Sequence, residues 1–209
     1  MTSVSNIPAS MVFFDFDGTI TTSDSFIKFI RFVVGDIRFI LGMTVLSPML
    51  VAYKLRLIPN YTAKQAVLSY FFKGMSEAQF QSTARDYSLK NIDAILRPKA
   101  MAKIAWHKEQ EHKIVVVSAS IESWLKPWCN QHGLDLIATK LEIKEGIVTG
   151  KLLTKNCYGM EKVRRVKERY NLDDYDHIYA YGDSRGDKEL LELADEGFYQ
   201  PFREDSTFC

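Results

Sequence analysis

The sequence predicts an α/β protein in which a doubly wound, Rossmann-like parallel sheet carries an inserted all-helical cap. Short apolar runs rich in β-branched residues alternate with helical patterns at the start of the chain and again after residue 97. The stretch between them shows only the helical period. We therefore assign residues 1–22 and 97–209 to the α/β core domain and residues 23–96 to a helical cap domain.

The first strand is predicted over Met11–Phe16, a short aromatic and β-branched run bounded by polar residues. Such a run fits a strand buried on both faces, as the central strands of parallel sheets are. It would deliver Asp15 at its carboxyl end.

The inserted segment is predicted to hold three or four helices. A broad apolar face over Phe26–Val33 ends at Gly35, and Asp36 opens the next helix. Ser47-Pro48 resembles an N-cap followed by proline at the first helical position, which would divide the uncharged run Phe39–Tyr53 into two helices. The remaining helices are predicted with their caps as follows: Thr62 before Ala63–Phe72, and Ser76 before Glu77–Ile95.

After Arg97-Pro98 the alternation of strands and helices returns. Strands are predicted at Lys113–Ser118, Leu136–Ala138, His177–Tyr181 and Phe198-Tyr199, with a β-hairpin over Leu141–Leu153. Helices are predicted at Lys99–Glu111, from near Ser120, at Gly159–Tyr170 and at Lys188–Ala194. These elements complete a parallel sheet with helices on both faces.

Composition and charge limit the possible partners. The formal net charge is +1, which gives no overall attraction to nucleic acid, so no nucleic-acid partner is expected. The three cysteines, Cys129, Cys157 and Cys209, lack metal-ligand spacing and fit a reduced compartment. Residues 1–11 lack the pattern of a signal peptide. These features predict a cytoplasmic protein and leave its oligomeric state open.

The uncharged run Phe39–Tyr53 is the one stretch that suggests a membrane. It is shorter than the roughly 20 residues that a helix needs to cross a bilayer. A buried helix is the favoured interpretation, and contact with a membrane surface is the alternative.

Three polar clusters follow predicted strands and would meet at one edge of the sheet, because ligands of open α/β sheets bind at the carboxyl ends of the strands. They are the Asp15/Asp17 pair, Ser118, and the loop Gly182–Asp187. Residues far apart in sequence are thereby predicted to form one site.

The carboxylates of these clusters predict a magnesium site. Asp15 and Asp17 would raise each other's pKa unless a cation lies between them, and Asp183 and Asp187 offer further oxygen ligands. One carboxylate can attack phosphorus and the other can transfer protons, while Gly18 lets the backbone approach a phosphate. A calcium loop is the alternative, but Thr19 and Phe26 stand where such a loop needs Asp or Asn and Glu.

Two further residues are candidate phosphate ligands. Ser118 alone would more often be a helix cap, but beside the carboxylates its hydroxyl can donate to a phosphate oxygen. Lys162 lies in the first turn of a helix, where the macrodipole disfavours a cation, so a lysine there suggests anion binding. A solvated basic helix face is the alternative for Lys162.

In order along the chain, these clusters resemble the four motifs of the haloacid dehalogenase superfamily. The matching segments are Asp15-Phe16-Asp17-Gly18-Thr19-Ile20-Thr21, Val117-Ser118-Ala119-Ser120, Gly159-Met160-Glu161-Lys162-Val163 and Gly182-Asp183-Ser184-Arg185-Gly186-Asp187. The insert after the first motif and the hairpin before the third are similar to the phosphoserine-phosphatase-like subfamily IB.

The resemblance implies a role for each matching residue. Asp15 would be the nucleophile, forming an aspartyl-phosphate, and Asp17 the general acid and base. Mg²⁺ would be bound by Asp15, Asp17 (through its carbonyl), Asp183 and Asp187. The phosphoryl group would be bound by Gly18, Thr19, Ser118, Ala119 and Lys162. Asp17 also separates the chain from dehalogenases, which lack this second aspartate, and from transport ATPases, which have threonine there.

The resemblance implies a phosphomonoesterase acting on a small phosphorylated metabolite. Asp24 stands where phosphoserine phosphatases carry the acidic residue that selects the substrate amine. Ala119-Ser120 and Gly186 depart from the usual motifs of those enzymes. The alternatives are a lipid-phosphate phosphatase at the membrane surface, similar to phosphatidylglycerophosphatases, and a phosphotransferase or mutase.

Overall fold

A computed structural model describes residues 10–203 and contains a five-stranded, all-parallel sheet. The strands of the sheet are β1 (Ser10–Phe14), β2 (Lys113–Ile121), β3 (Asp135–Thr139), β6 (His177–Gly182) and β7 (Glu196–Tyr199), and their order is β3-β2-β1-β6-β7. A separate antiparallel hairpin joins β4 (Leu141–Lys144) to β5 (Ile147–Leu152). The predicted fold class is confirmed, and the predicted hairpin is present. The predictions for residues 1–9 and Cys209 lie outside the described residues.

Helices cover both faces of the sheet, and their bounds agree with the predicted elements to within a few residues. The helices outside the insert are α4 (Pro98–Glu109), α5 (Glu122–Gln131), α6 (Met160–Arg169) and α7 (Lys188–Leu193). Each residue of β1 is buried, because this strand lies in the middle of the sheet with a hydrophobic cluster on either face. β1, which leads directly into Asp15, is thus the most deeply buried strand of the sheet.

The insert contains three helices, α1 (Ser25–Lys54), α2 (Asn60–Phe72) and α3 (Glu77–Asn91). Gly35 interrupts α1 with φ 76° and ψ 165°, a conformation that glycine adopts without steric cost, so the predicted break there is confirmed. The predicted division at Ser47-Pro48 is wrong, since Pro48 lies inside the helix. Proline removes the hydrogen bond to the carbonyl of Thr44, but Thr44 is exposed and water can satisfy that oxygen.

The two predicted caps of α2 and α3 differ in outcome. Ser76 caps α3, where its hydroxyl accepts a hydrogen bond from the Gln79 N–H at 3.3 Å. The predicted cap at Thr62 is wrong, because α2 begins at Asn60, directly after Pro59. The Pro59 carbonyl accepts the N–H groups of Thr62 and Ala63 at 3.1 and 3.4 Å, so Thr62 lies inside the first turn instead of capping it.

The insert and the sheet share one hydrophobic core. The ring of Phe29 on α1 stacks on Trp124 of α5 at 4.6 Å between centroids, and the backbone N–H of Trp128 donates to Ser88 Oγ on α3 at 3.0 Å. The segment before α3 also pairs with the hairpin, where the Gly74 N–H donates to the Val148 carbonyl at 3.0 Å. The helical segment is therefore packed continuously onto the α/β core.

The chain enters and leaves the insert at adjacent points. The Thr22 N–H donates to the Ile95 carbonyl at 2.7 Å, and the Arg97 N–H donates to the Ile20 carbonyl at 2.8 Å. These contacts lie next to the predicted boundaries at residues 22–23 and 96–97, which remain a prediction. Within residues 10–203, no helix has the length and hydropathy needed to span a bilayer.

Candidate active site

The three predicted polar clusters lie together at the carboxyl edge of the sheet. Asp15 directly follows β1, and its N–H donates to the Tyr181 carbonyl of β6 at 2.9 Å. Ser118 lies near the end of β2, and the turn Gly182–Asp187 follows β6. The parallel register of β1 with both neighbours places these ends side by side.

The ammonium group of Lys162 lies at the centre of this cluster. Its Nζ donates to Asp15 Oδ1 at 2.5 Å, to Asp187 Oδ1 at 2.6 Å and to the Val117 carbonyl at 2.7 Å. The side chain is only 2% exposed, so the alternative of a solvated basic face does not hold for this lysine. The first turn of α6 thus delivers one buried cation between two carboxylates.

Asp15, Asp183 and Asp187 together offer a set of carboxylate oxygens that lie within 4.8 Å of one another. Asp187 is the most constrained, because its Oδ2 accepts hydrogen bonds from the Ser184 N–H at 2.9 Å and the Ser184 hydroxyl at 2.7 Å. Asp183 Oδ2 accepts from Arg203 at 2.9 Å. The turn therefore holds Asp187 rigidly and leaves Asp183 nearer the solvent.

The three carboxylates of this cluster outnumber its two basic partners, Lys162 and Arg203. Burial is the main cause that raises the pKa of Asp15, to about 8, and Asp187 adds to the rise while Lys162 opposes it. Burial also raises the pKa of Asp183. Burial acts in the same sense on Asp187, but the charge and hydrogen bond of Lys162 and the hydrogen bonds of Ser184 together outweigh it and hold the pKa of Asp187 below its usual range. Hard oxygen donors with excess negative charge match the preference of Mg²⁺, so this set of residues fits the ion.

The carboxylate of Asp17 points to the other side of the site, toward the insert. Its Oδ1 accepts the N–H of Ser25 at 2.6 Å, and its Oδ2 accepts the hydroxyl of Ser120 at 2.5 Å. Burial raises the pKa of Asp17 to about 6, and the nearby Asp24 carboxylate adds to the rise. A carboxyl group with a pKa near neutrality can both donate and accept a proton at physiological pH.

Gly18 and Thr19 form the turn between the two sides. Gly18 has φ 86°, and a Cβ atom there would lie 2.3 Å from Asp183 Oδ2. The Thr19 hydroxyl is buried and lies 3.4 Å from Asp15 Oδ2 and 3.5 Å from Asp183 Oδ1. Position 18 therefore requires glycine, because the turn after β1 approaches Asp183 in the turn after β6 too closely for a side chain.

Two other predicted site residues, Ser118 and Asp24, also lie here, and the side chains of both accept hydrogen bonds from backbone N–H groups. Ser118 is buried, and its Oγ accepts the N–H of Ser120 at 3.0 Å. Asp24 is the N-cap of α1, since its Oδ1 accepts the N–H groups of Phe26 and Ile27 at 2.8 and 3.2 Å. Asp24 thus orients the insert's first helix, and it also lines the cavity beside the site.

This cavity, of about 270 Å³, lies between the carboxyl edge and the insert. Its floor contains Asp15, Asp17, Ser118, Ala119, Lys162 and Asp187. Its roof is largely apolar and contains Phe26, Ile27, Met43, Leu50, Tyr53 and Val67. A ligand in the cavity would meet charged groups at one end and apolar side chains at the other.

One functional candidate in the cavity was not predicted from the sequence. Lys64 on α2 reaches down from the roof, and its Nζ donates to the Ala119 carbonyl at 2.6 Å. Burial lowers the pKa of Lys64, against the opposing effect of Asp17 and Asp24. Nothing in the sequence separates this lysine from a surface lysine, because its role depends on where α2 packs.

Comparison with known proteins agrees with this architecture. A family model described as haloacid dehalogenase-like hydrolase matches residues 12–192. The chain is 36% identical over 195 residues to Protein CicA of Caulobacter vibrioides, in two strains, and the match covers 92% of this chain and 86% of CicA.

Two solved structures illustrate the similarity of fold. A protein with unknown function from Bordetella pertussis Tohama I has a TM-score of 0.78 at 22% identity, covering 90% of this chain and 87% of that one. A phospho-aspartyl intermediate analogue of phosphoserine phosphatase has a TM-score of 0.59 at 20% identity, covering 92% and 85%. The fold is therefore phosphoserine-phosphatase-like.

Proposed function

This chain belongs to the haloacid dehalogenase-like hydrolases, and we propose that it is a Mg²⁺-dependent phosphatase that hydrolyses a small phosphate monoester through an aspartyl-phosphate on Asp15. The observation that carries the proposal is the buried contact of Lys162 with both Asp15 and Asp187, at 2.5 and 2.6 Å. A fixed cation beside a carboxylate nucleophile is what a transferring phosphoryl group requires.

Asp15, Asp183 and the carbonyl of Asp17 are proposed to bind Mg²⁺, with Asp187 holding Asp183 and Lys162 in position. The bound ion would neutralise charge on the phosphoryl oxygens. Support for Asp187 as a positioning residue comes from its oxygens, which accept donors from Lys162 and from Ser184. The residues around the phosphoryl group would be Gly18, Thr19, Ser118, Ala119 and Lys162.

In the first step, a carboxylate oxygen of Asp15 attacks phosphorus and the bond from phosphorus to the ester oxygen breaks. Protonated Asp17 gives its proton to the leaving oxygen, so an alcohol departs. The hydrogen bonds of Asp17 with Ser25 and Ser120 support this role, because they hold the carboxyl group on the side from which a leaving group would depart.

In the second step, Asp17 takes a proton from water, and the oxygen of that water attacks the phosphorus of the aspartyl-phosphate. The bond between phosphorus and Asp15 breaks, which releases inorganic phosphate and restores both carboxyl groups. The solved phosphoserine phosphatase with a phospho-aspartyl analogue supports this course by analogy of fold.

The cavity supports a small substrate with an apolar portion. Its volume of about 270 Å³ suits a metabolite of modest size, and its roof presents apolar side chains to the leaving group. Asp24 and Lys64 are the charged groups on that side, so they are proposed to select the polar substituents of the leaving group.

The decisive experiment is Asp15→Asn with an aryl phosphate as substrate. We expect turnover to fall to background while the fold persists, because an amide is a poor nucleophile, and EDTA should remove the activity of the native enzyme until Mg²⁺ is restored. Asp86→Asn, which alters an exposed ion pair on α3, is the matched control and should retain full activity. An active Asp15→Asn enzyme, or full activity in EDTA, would overturn the proposal.

A further inference from the structure

The second half of α1 exposes a largely apolar face on the outside of the molecule, in which the polar side chain of Thr44 donates its hydroxyl to the Ile40 carbonyl at 2.9 Å. The apolar residues of this face recur every three or four positions, which places them on one side of the helix. We call this the outer face, and it comprises Ile37, Ile40, Leu41, Val45, Pro48 and Val51 of the helix, together with Leu55 directly after its end. Exposed fractions of 55% to 78% for its large aliphatic side chains show that nothing in the described chain covers them.

The opposite side of the same helix packs against the rest of the protein. Met43, Leu50 and Tyr53 line the roof of the active-site cavity. Gly42 packs so closely on α2 that a Cβ atom there would lie 2.4 Å from Phe71 Cζ. The helix is therefore apolar on both sides, although a helix at the surface of a globular protein normally turns a polar side to water.

The charged residues that follow Ile37 along the outer face are all basic, and the carboxylate just before it, Asp36, is paired with Arg31 at 2.6 Å. From Ile37 to Ser76 the chain has no aspartate or glutamate, but it has five basic residues, namely Arg38, Lys54, Arg56, Lys64 and Lys73. Arg38 is exposed near one end of the outer face, and Lys54 and Arg56 are exposed at the other. The whole chain carries a formal charge of only +1, so this basic character is local.

We propose that the outer face binds the surface of an anionic lipid bilayer, with α1 lying in the plane of the interface. Aliphatic side chains would enter the acyl boundary while arginine and lysine at the two ends contact the lipid headgroups. An in-plane helix agrees with the finding that no helix in the described part of the chain can span a bilayer. The inner side of α1 would then place the roof of the cavity beside the membrane.

The charges favour a bilayer over a second copy of this chain. A two-fold dimer would press the same surface against itself. Arg38, Lys54 and Arg56 would then meet one another across the interface. Residues 37–76 contain no carboxylate to pair with them, and Asp36 is already paired with Arg31 at 2.6 Å. Like charges this near one another oppose association, whereas anionic headgroups neutralise the basic side chains.

Flotation of the purified protein with lipid vesicles tests this proposal independently of catalysis. Vesicles of equal parts phosphatidylglycerol and phosphatidylcholine should carry the protein to the top of a sucrose gradient, and phosphatidylcholine vesicles should carry much less. Leu41→Glu and Val45→Glu should each lower the partition coefficient about tenfold or more, because a buried aliphatic group is replaced by a charge that the lipid repels. Leu153→Glu is the matched control, since Leu153 is 61% exposed and Leu41 60% exposed, and should bind as the native protein does.

Two parallel measurements separate the possible outcomes. Hydrolysis of a soluble aryl phosphate should be unchanged in Leu41→Glu and Val45→Glu, so a failure of vesicle binding is distinct from a failure of the proposed hydrolase. Light scattering after size exclusion should show no dimer that depends on Leu41. Absence of flotation with anionic vesicles, flotation that both glutamate variants retain, or a dimer that Leu41→Glu dissociates would each overturn the proposal.

Discussion

Lys162 is the residue on which the proposed site depends most. It is buried between two carboxylates, and those carboxylates together outweigh the effect of burial and hold its pKa above the usual range. Its charge therefore persists throughout the physiological pH range. All three N–H bonds of this ammonium group are already donated to Asp15, Asp187 and Val117, so it would fix the proposed nucleophile and would stabilise an incoming phosphoryl group through its positive charge.

Lys162→Met is expected to lower turnover of an aryl phosphate by roughly 10²–10³-fold, because a preorganised positive charge beside the proposed nucleophile is lost. It should also lower the free energy of unfolding in EDTA by about 3–5 kcal/mol, since two buried carboxylates lose their partner. Thermal and urea unfolding would measure the second effect. Lys167→Met on the exposed side of α6 is the control. Equal stability of the two variants would show that the ion pair does not support the fold.

At the same scale, the sequence predicts Lys162 as a site residue but does not predict Lys64. A lysine in the first turn of a helix works against the macrodipole, so its position alone suggests a purpose. Lys64 has no such signal, because a lysine within a helix is ordinary and only the packing of α2 brings it to the Ala119 carbonyl. Ser25 and Ser120 were missed as partners of Asp17 for the same reason.

At the scale of elements, the turn after β1 joins two parts of the site by a close contact. Gly18→Ala is expected to push Asp183 away, because the new Cβ would lie 2.3 Å from its carboxylate, and the Mg²⁺ concentration for half-maximal activity should rise at least about tenfold. Gly74→Ala is the matched control, since Gly74 has φ 89° but no atom within 4 Å of the new Cβ. A titration of activity with Mg²⁺ compares them. An unchanged Mg²⁺ requirement in Gly18→Ala would contradict the proposed role of Asp183.

The elements also show where prediction from sequence succeeds. Gly35 was predicted as a break because positive φ is a property of the residue itself. Pro48 was not predicted correctly, because whether a helix tolerates proline depends on solvent access to the carbonyl one turn earlier. The strands and the hairpin were predicted because their apolar period and turn residues are local. The pairing of residues 74–77 with the hairpin is long-range and left no local signal.

At the scale of the whole molecule, His107 couples stability to pH. It is fully buried, with Nε2 2.9 Å from the Tyr181 hydroxyl and Nδ1 2.8 Å from His112 Nδ1. Burial is the main cause that lowers its pKa to about 3. Below its ordinary pKa of about 6.5, the unfolded chain binds a proton that the folded chain does not, so stability is lost as the pH falls.

His107→Gln is expected to flatten this dependence. Between pH 7 and pH 5, the native protein should lose about 2 kcal/mol more free energy of unfolding than the variant, because only the native protein must keep this imidazole neutral. Urea unfolding at several pH values in this range measures the difference. Glutamine can keep the hydrogen bond to Tyr181, so the comparison isolates the proton. Parallel pH profiles of the two proteins would show that His107 does not contribute.

The adjacent entry and exit points of the insert have a consequence for how such a protein changes over evolutionary time. Because residues 20–22 and 95–97 run side by side, a segment of almost any length can be exchanged there without altering the order of the strands. The packing of the insert on α5, unlike the order of the strands, restricts which residues a replacement segment can contain. Any replacement has to cover Trp124 and Trp128 as Phe29 and Ser88 do now. The length of the inserted segment can therefore vary widely, while its residues that contact α5 have to remain able to cover the two tryptophans.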